Sequence, residues 1–449
     1  MPGQPSQEPA VRVAVLGSGN VGAALVELLA DPARAGEIAR RAGVGLEVVG
    51  ISTLDLDDVR SSAPWFPRHL LTLDAKGLVE RDDVDVVVEL IGGIDPAKSL
   101  IETALAAGRP VVTANKALLA AHGGPLAALA ASNGVDLFYE AAVAGAIPII
   151  RPLRESLAGE RISRVMGIVN GTTNFILTSM TEEGREYDEA LAEAQRLGLA
   201  ERDPSADVEG RDAAAKAAIL ASLAFGCDVV VDDVHCEGIT GVRRVDVTFA
   251  ERLGYVVKLL AVAELVDGGP DLSVRVHPAM VPKSHPLAVV RGAFNAVFIE
   301  GEAAGELMLY GRGAGGPPAA SAVLGDLVVA ARHLRSGAAV PAPTRRVPVV
   351  IRPVEDLTSV FYLSIDVLDR PGVLASVARV FGDHGVSIRS MEQLGLGDEA
   401  RLVFLTHLAR GGAVTATIED LGRLDVVDRV GGVLRVVGPE DPDLLGAGA

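Results

Sequence analysis

A short run with a β-branched residue at every second position, Val11-Arg12-Val13-Ala14-Val15-Leu16, stops at Gly17-Ser18-Gly19-Asn20-Val21-Gly22 and reopens as a helical stretch over 23–30. Few folds accept that order. Glycines at the first, third and sixth positions permit a tight turn and let the backbone approach a pyrophosphate. The helix that follows presents unpaired N–H groups and the positive end of its dipole. The arrangement predicts a βαβ unit that holds a dinucleotide through Gly17, Gly19, Asn20, Val21 and Gly22. Its bland alternative is a glycine turn needed only for helix–strand packing.

Further strands are predicted over 46–51, 84–90 and 110–113, with helices over 96–107 and 125–133. Near-continuous apolar strands alternating with helices imply a parallel sheet covered on both faces. An α/β, Rossmann-type dinucleotide-binding domain is therefore expected over 1–145, with a helix over 317–335 returning to it. The pattern then changes. A strand over 165–169, a long Ala-rich helix over 212–225 and alternating stretches over 272–276 and 296–299 predict an α+β domain with a mixed sheet over 146–316. Residues 247–265 read as another helix, interrupted at Gly254. The segment 336–357 is rich in Pro, Ala and Arg without a clear period and reads as a linker. After it, 358–440 shows a β-α-β-β-α-β order, that of an independent ferredoxin-like domain.

Charge and composition exclude several classes. A formal charge of -18 leaves no basic stripe for phosphates, so nucleic acid is not an expected partner. Every long apolar run is broken by charge or Gly before about 18 residues, so no membrane span is expected. The first ten residues are polar and proline-rich, without a secretion signal. The two cysteines, Cys227 and Cys236, are too few for a disulfide framework or cysteine-rich metal site, and the histidines are scattered. A soluble, cytoplasmic protein is the expectation.

The cofactor's ribose is weakly marked. NAD sites place Asp or Glu near the end of the second strand. Here Ser52 and Thr53 stand there, with Asp55 and Arg60 a little later, so NAD and NADP both stay open.

Chemistry is carried by Asp212 and Lys216. On a helix they stand one turn apart on one face, and Ile219 and Leu223 continue the stripe. An ammonium and a carboxylate aligned with apolar residues belong at the floor of a cleft. The alternative is an exposed ion pair worth a few tenths of a kcal/mol. Lys116 follows the fourth strand, at the carboxyl edge where open α/β sheets bind ligands. It could polarise a carbonyl or contact the cofactor, or be an ordinary solvated lysine.

The blocks Gly17 to Gly22, Thr113-Ala114-Asn115-Lys116, Asn170-Gly171-Thr172-Thr173-Asn174, Asp207 to Lys216 and Tyr310-Gly311-Arg312-Gly313-Ala314-Gly315 occur in the order seen in homoserine dehydrogenases. The chain resembles that family over roughly 11–334. The resemblance implies NAD(P)-dependent reduction of aspartate 4-semialdehyde to homoserine. It makes Lys216 the proton donor and acceptor, with Asp212 and Lys116 beside the reaction. It assigns Glu201, Asp207, Asp212, Gly171 and Thr172 to the substrate, and Gly92, Lys116, Gly198 and Gly313 to the cofactor. An ammonium near the aldehyde oxygen would stabilise the charge that hydride delivery builds there, and supply the proton.

The same resemblance implies a sodium ion held by Glu140, Val143, Gly145 and Ile147, against the plain alternative of a buried glutamate bonded to backbone. Asp369-Arg370-Pro371-Gly372 before an apolar helix resembles the start of an ACT domain. It implies a small amino-acid effector, here threonine, near Asp369 and Gly372, and a homo-oligomer, dimer or tetramer. Two rivals remain: a thiol-dependent aldehyde dehydrogenase using Cys227 or Cys236, and a non-catalytic nucleotide and amino-acid sensor.

Overall fold

The structure, a computed structural model, describes residues 9–57, 59, 65–337, 346–395 and 399–438. Arg60, residues 338–345 of the expected linker and the last residues of the C-terminal domain lie outside them. The chain divides into two compact units: 1–159, 218–231 and 309–348 in one, and 160–217, 232–308 and 349–449 in the other.

The first unit begins with β1 (Val11–Leu16), α1 (Asn20–Ala30), α2 (Pro32–Ala42), β2 (Leu46–Ser52), β3 (Leu71–Thr72) and α3 (Ala75–Glu80). It continues with β4 (Val86–Glu89), α4 (Ala97–Ala106), β5 (Val111–Thr113), α5 (Lys116–Ser132) and β6 (Leu137–Phe138). These strands form one parallel sheet in the order β3-β2-β1-β4-β5-β6. The order reverses at β1, so the carboxyl ends of β1 and β4 open the crevice where such sheets bind ligands. Val13, Val15, Val86, Val88 and Val112 are fully buried, as strands covered on both faces require. The helix Gly316–Ser336 belongs to this unit and sends Ala320, Val323, Leu327, Ala330 and Ala331 into the same core.

The second unit carries β7 (Ile162–Ile168), α6 (Gly171–Glu182), α7 (Tyr187–Arg196), α8 (Ser205–Val208) and α9 (Arg211–Ala224), whose last turns count with the first unit. Then come β8 (His235–Cys236), α10 (Arg244–Arg252), β9 (Tyr255–Leu265), β10 (Leu272–Pro282), β11 (Phe294–Gly301) and β12 (Gly305–Arg312), which from Leu309 onward also counts with the first unit. The expected helix over 247–265 is therefore corrected. Gly254, left-handed at φ 85, separates a short helix from an eleven-residue strand buried along most of its length. An apolar run buried on both faces carries no period-2 signal, so sequence cannot tell it from a helix.

The C-terminal module follows the order expected: β13 (Thr358–Leu368), α11 (Val373–Asp383), β14 (Ile388–Gly395), β15 (Glu399–Thr406), β16 (Ala409–Arg410), α12 (Gly411–Leu421) and β17 (Val427–Val436). Its Phe361, Leu363, Ile365 and Val367 pack with Val377 and Phe381 of α11 and with Phe404. The module is not detached. β17 pairs in parallel with β10, matching Ala279 to Arg435 and Met280 to Val436, so one eleven-stranded mixed sheet runs through the unit. The pairing satisfies a strand edge that would otherwise expose unpaired groups. The described part of the linker is also anchored: Leu272 N–H donates to Val350 O and Arg352 N–H to Leu272 O. Among the described residues no helix is long and apolar enough to cross a membrane.

Candidate active site

In the first unit, β1 ends at Gly17, whose φ of 112 suits only glycine and whose Cβ would stand 2.7 Å from Leu90 O. A Cβ on Gly22 would stand 2.1 Å from Gly17 O, so helix and loop meet only because both are glycines. Gly19 is the N-cap of α1, with nothing within 4 Å of its missing Cβ. Asn20 and Val21 form the first turn, and the helix N-terminus faces this open space. That is the cradle a pyrophosphate needs. At the end of β2, Ser18 Oγ donates to Thr53 Oγ1 at 2.8 Å, and Asp55 spends its carboxylate on Asp57 N–H at 2.7 Å.

A residue that sequence reasoning did not single out organises the neighbouring edge. Glu89, fully buried at the end of β4, accepts from Ile91 N–H at 2.8 Å, Gly92 N–H at 3.1 Å and Thr113 Oγ1 at 2.6 Å. Asn115 then caps α5 through Leu118 N–H at 3.1 Å and donates to Gly93 O at 2.6 Å. Gly92 and the first residue of α5, the exposed Lys116, are thereby tied into one turn system at the sheet edge. The available signal was an acid ending an otherwise apolar strand, a costly placement unless it is bonded.

Glu140 is buried, and its carboxylate accepts from Ile149 N–H at 2.5 Å, Ile150 N–H at 2.7 Å and Arg151 N–H at 3.0 Å. The Glu140 carboxylate is thus bonded to three backbone N–H groups. Ala144 and Gly145 are both left-handed and turn the segment of Val143 and Ile147 sharply. Gly313 packs there, its carbonyl 2.4 Å from where a Gly145 Cβ would be. Beside this turn, burial pushes the Asp326 carboxyl up to about 6, despite its bonds from Glu140 N–H and Arg151. Among the described residues no group of three or more His, Cys, Asp or Glu could hold a metal ion.

The second unit gathers the expected chemistry. Lys216 Nζ donates to Asp212 Oδ2 at 2.7 Å and to Val169 O at 2.7 Å, and lysine and aspartate are 8% and 7% exposed. That burial rules out the exposed ion pair. Asp212 lies in the first turn of α9, where the helix dipole favours a carboxylate. Asn170, which the sequence marks only as the start of its block, caps α6 through Thr173 N–H at 2.9 Å and bridges two acids, Asp207 at 2.7 Å and Asp212 at 2.9 Å. Gly171 and Thr172 follow directly. A Cβ on Gly171 would meet Ala293 O at 2.8 Å, while Thr172 Oγ1 donates to Leu199 O at 2.7 Å. Asn174 pins the 290–294 loop through Gly292 O and Phe294 O, and accepts from the buried Lys258 at 3.0 Å. Burial pushes that lysine down to about 8.

Glu201 is exposed and is bonded through its backbone carbonyl, which accepts from Gln195. Gly198 ends α7 in a left-handed turn, a sufficient structural reason for glycine. In the C-terminal module, Gly372 is left-handed at φ 91 and caps α11 with open space around it, and Asp369 is exposed nearby. The thiol rival fails. Cys227 is buried against Ala221 O, burial pushes Cys236 up, and His235 bonds Glu237 at 2.7 Å. No activated thiolate results.

A parallel sheet with a pyrophosphate cradle, a buried lysine–aspartate pair on a second α+β body and an appended βαββαβ module are the parts of a dinucleotide-dependent oxidoreductase with an added ferredoxin-like domain. Family models agree segment by segment. "Homoserine dehydrogenase, NAD binding domain" matches 17–140, "Homoserine dehydrogenase" matches 148–328 and "ACT domain" matches 361–426. The chain belongs to the homoserine dehydrogenase family. It is 50% identical to the Mycobacterium tuberculosis homoserine dehydrogenase over 443 residues, 97% of this chain and 99% of that one. To the Corynebacterium glutamicum enzyme it is 49% identical over 431 residues, 95% and 96% of the two chains. The crystal structure of a homoserine dehydrogenase from Thiobacillus denitrificans superposes with a TM-score of 0.89 at 40% identity, covering 96% of this chain and 98% of that one.

Proposed function

We propose that the chain reduces aspartate 4-semialdehyde to homoserine, reversibly, with Lys216 as the proton donor and acceptor. The observation that carries this reading is the burial of Lys216 between Asp212 and the Val169 carbonyl. A lysine so held is aimed by the fold rather than by chance. The glycine cradle of the first unit suits a nicotinamide dinucleotide, which supplies the hydride when bound. Asp212 orients the Lys216 ammonium, which donates its proton to the oxygen that becomes the homoserine hydroxyl. Asp207, with Glu201, pairs with the substrate ammonium, and the N–H groups at Gly171 and Thr172 favour its carboxylate at the start of α6. Lys116 acts beside the cofactor.

Homoserine-dependent absorbance of reduced nicotinamide, measured with NAD and with NADP on the parent and on Lys216→Ala, tests the assignment. The variant is expected to lose rate by at least about a hundredfold while keeping dinucleotide affinity. Equal rates would remove Lys216 from the chemistry.

The C-terminal module is proposed to bind threonine near Asp369 and Gly372 and to lower activity, in a homo-oligomeric enzyme. Threonine titration of the parent and of Asp369→Ala tests this, and unchanged sensitivity in the variant would move the effector elsewhere.

A further inference from the structure

Residues 235–246 lie between the C-terminal module and the substrate acids, and they touch both. At one end stands Asp246, fully buried in the first turn of α10. It accepts from Tyr362 Oη at 3.0 Å and from Ser364 Oγ at 2.8 Å. Both lie on the face of β13 turned away from the module's own helices. Arg243, the N-cap of α10, donates to Asp366 Oδ2 and to Ser364 Oγ, each at 3.0 Å. Two glycines of β17 make room for this pair. A Cβ on Gly431 would lie 2.9 Å from the Arg243 guanidinium carbon, and one on Gly432 would lie 2.6 Å from the Asp246 carboxyl carbon.

At the other end, Arg435 of β17 donates to Glu237 Oε1 at 2.9 Å, and His235 bonds the same oxygen at 2.7 Å. Burial alone would raise the Glu237 carboxyl. The His235 bond and the Arg435 charge overcome it and bring the group down to about 2.

Between these anchors the segment rests on the chain that carries the substrate acids. Ile239 N–H donates to Val208 O at 2.8 Å, and the Cys236 thiol donates to Glu209 O at 3.3 Å. A Cβ on Gly238 would stand 2.3 Å from Val208 O, and one on Gly210 would stand 3.2 Å from Glu237 O. Asp207 immediately precedes this contact and Asp212 follows it.

We propose that Glu237, Arg243 and Asp246 are positioning residues for the Asp207–Asp212 pair, with the C-terminal module fixing where they stand. Asp246, buried and held by Tyr362 and Ser364 of β13, tolerates one arrangement well and others badly, because each lost partner leaves an uncompensated polar group. Displacement of β13 or β17 therefore carries the 235–246 segment with it. The segment in turn has no slack against Val208–Gly210. Any ligand that shifts the module reaches the substrate site by this route.

The inference rests on the dehydrogenase reading, and the experiment separates the two. In the full chain, Arg435→Ala releases Glu237 from the module, and Arg435→Lys keeps the charge. Arg435→Ala is expected to raise the KM for homoserine about tenfold while the KM for the dinucleotide changes less than twofold, and Arg435→Lys is expected to recover most of the loss. Ser364→Ala, a milder change, should raise the homoserine KM about threefold. An effect on folding alone would lower the active fraction, and so kcat, at unchanged KM. That outcome in both Arg435→Ala and Ser364→Ala overturns the inference and leaves the dehydrogenase reading standing. Absence of homoserine-dependent turnover in the parent overturns both.

Discussion

Asn170 bridges Asp207 and Asp212 with one side-chain amide nitrogen, at 2.7 and 2.9 Å, while its oxygen is held by Thr173. The two acids therefore sit close together on one neutral donor, and Lys216 donates to the second at 2.7 Å.

Removing that bridge should be costly. Asn170→Ala leaves two carboxylates without their common donor and is expected to lower kcat/KM for homoserine about a hundredfold, near 2.7 kcal/mol. Asn170→Asp should be worse, since it adds a third carboxylate. Steady-state kinetics with a parallel dinucleotide titration checks both, and dinucleotide affinity should stay within about twofold of the parent. A smaller loss for the aspartate than for the alanine would count against the bridge.

The glycine loop separates fold from binding. Gly22→Ala puts a methyl group 2.1 Å from Gly17 O and should lower both the melting temperature and dinucleotide affinity. Gly19→Ala meets nothing within 4 Å in the protein itself. It is expected to keep the parent's melting temperature yet lose about tenfold or more in affinity, because only a bound pyrophosphate comes that close. Calorimetric melting beside fluorescence titration reads the two effects apart.

Thr53 stands where an NAD-selective site carries an acid, and its hydroxyl is bonded to Ser18. Thr53→Asp should accept the ribose hydroxyls and repel a 2′-phosphate, shifting the NAD to NADP ratio of kcat/KM toward NAD by about tenfold or more. A ratio that does not move would place ribose recognition elsewhere.

His277 gives the second unit an acid-sensitive core. It is 2% exposed, and burial, reinforced by Arg435 and Arg275, pushes it down to about 3. It is neutral in the fold, its Nδ1 bonded to Pro278 O and its Nε2 accepting from Arg275 at 3.3 Å. A group whose folded value lies below its unfolded value of about 6.5 takes up its proton first in the unfolded chain. Stability is therefore lost as pH falls below about 6.5, by about 2 kcal/mol between pH 7 and 5. Urea unfolding across that range should show the slope in the parent and lose it in His277→Gln. Equal slopes would acquit the histidine.

The first unit was legible because its signals are local. Gly17, Gly19 and Gly22 follow a strand and open a helix within a dozen residues, and the spacing of Asp212 and Lys216 already puts them on one helical face. The βαββαβ order of the C-terminal module was equally plain from alternation and turn residues. Tyr255–Leu265 was misread because a strand buried on both faces looks like any apolar run. Glu89 and Asn170 were not singled out because their importance lies in partners 24 and 42 residues away, Thr113 and Asp212.

What the residue order settled by itself was the dinucleotide cradle, the lysine–aspartate pair, the family and the succession of elements, since each depends on near neighbours along the chain. Only the tertiary structure decided that Lys216 is buried against Val169, that Asn170 joins two acids, and that β17 continues the central sheet and holds Glu237. Those facts depend on groups far apart in sequence meeting where water is excluded. There each polar atom must find a particular partner, and no local pattern records which one it finds.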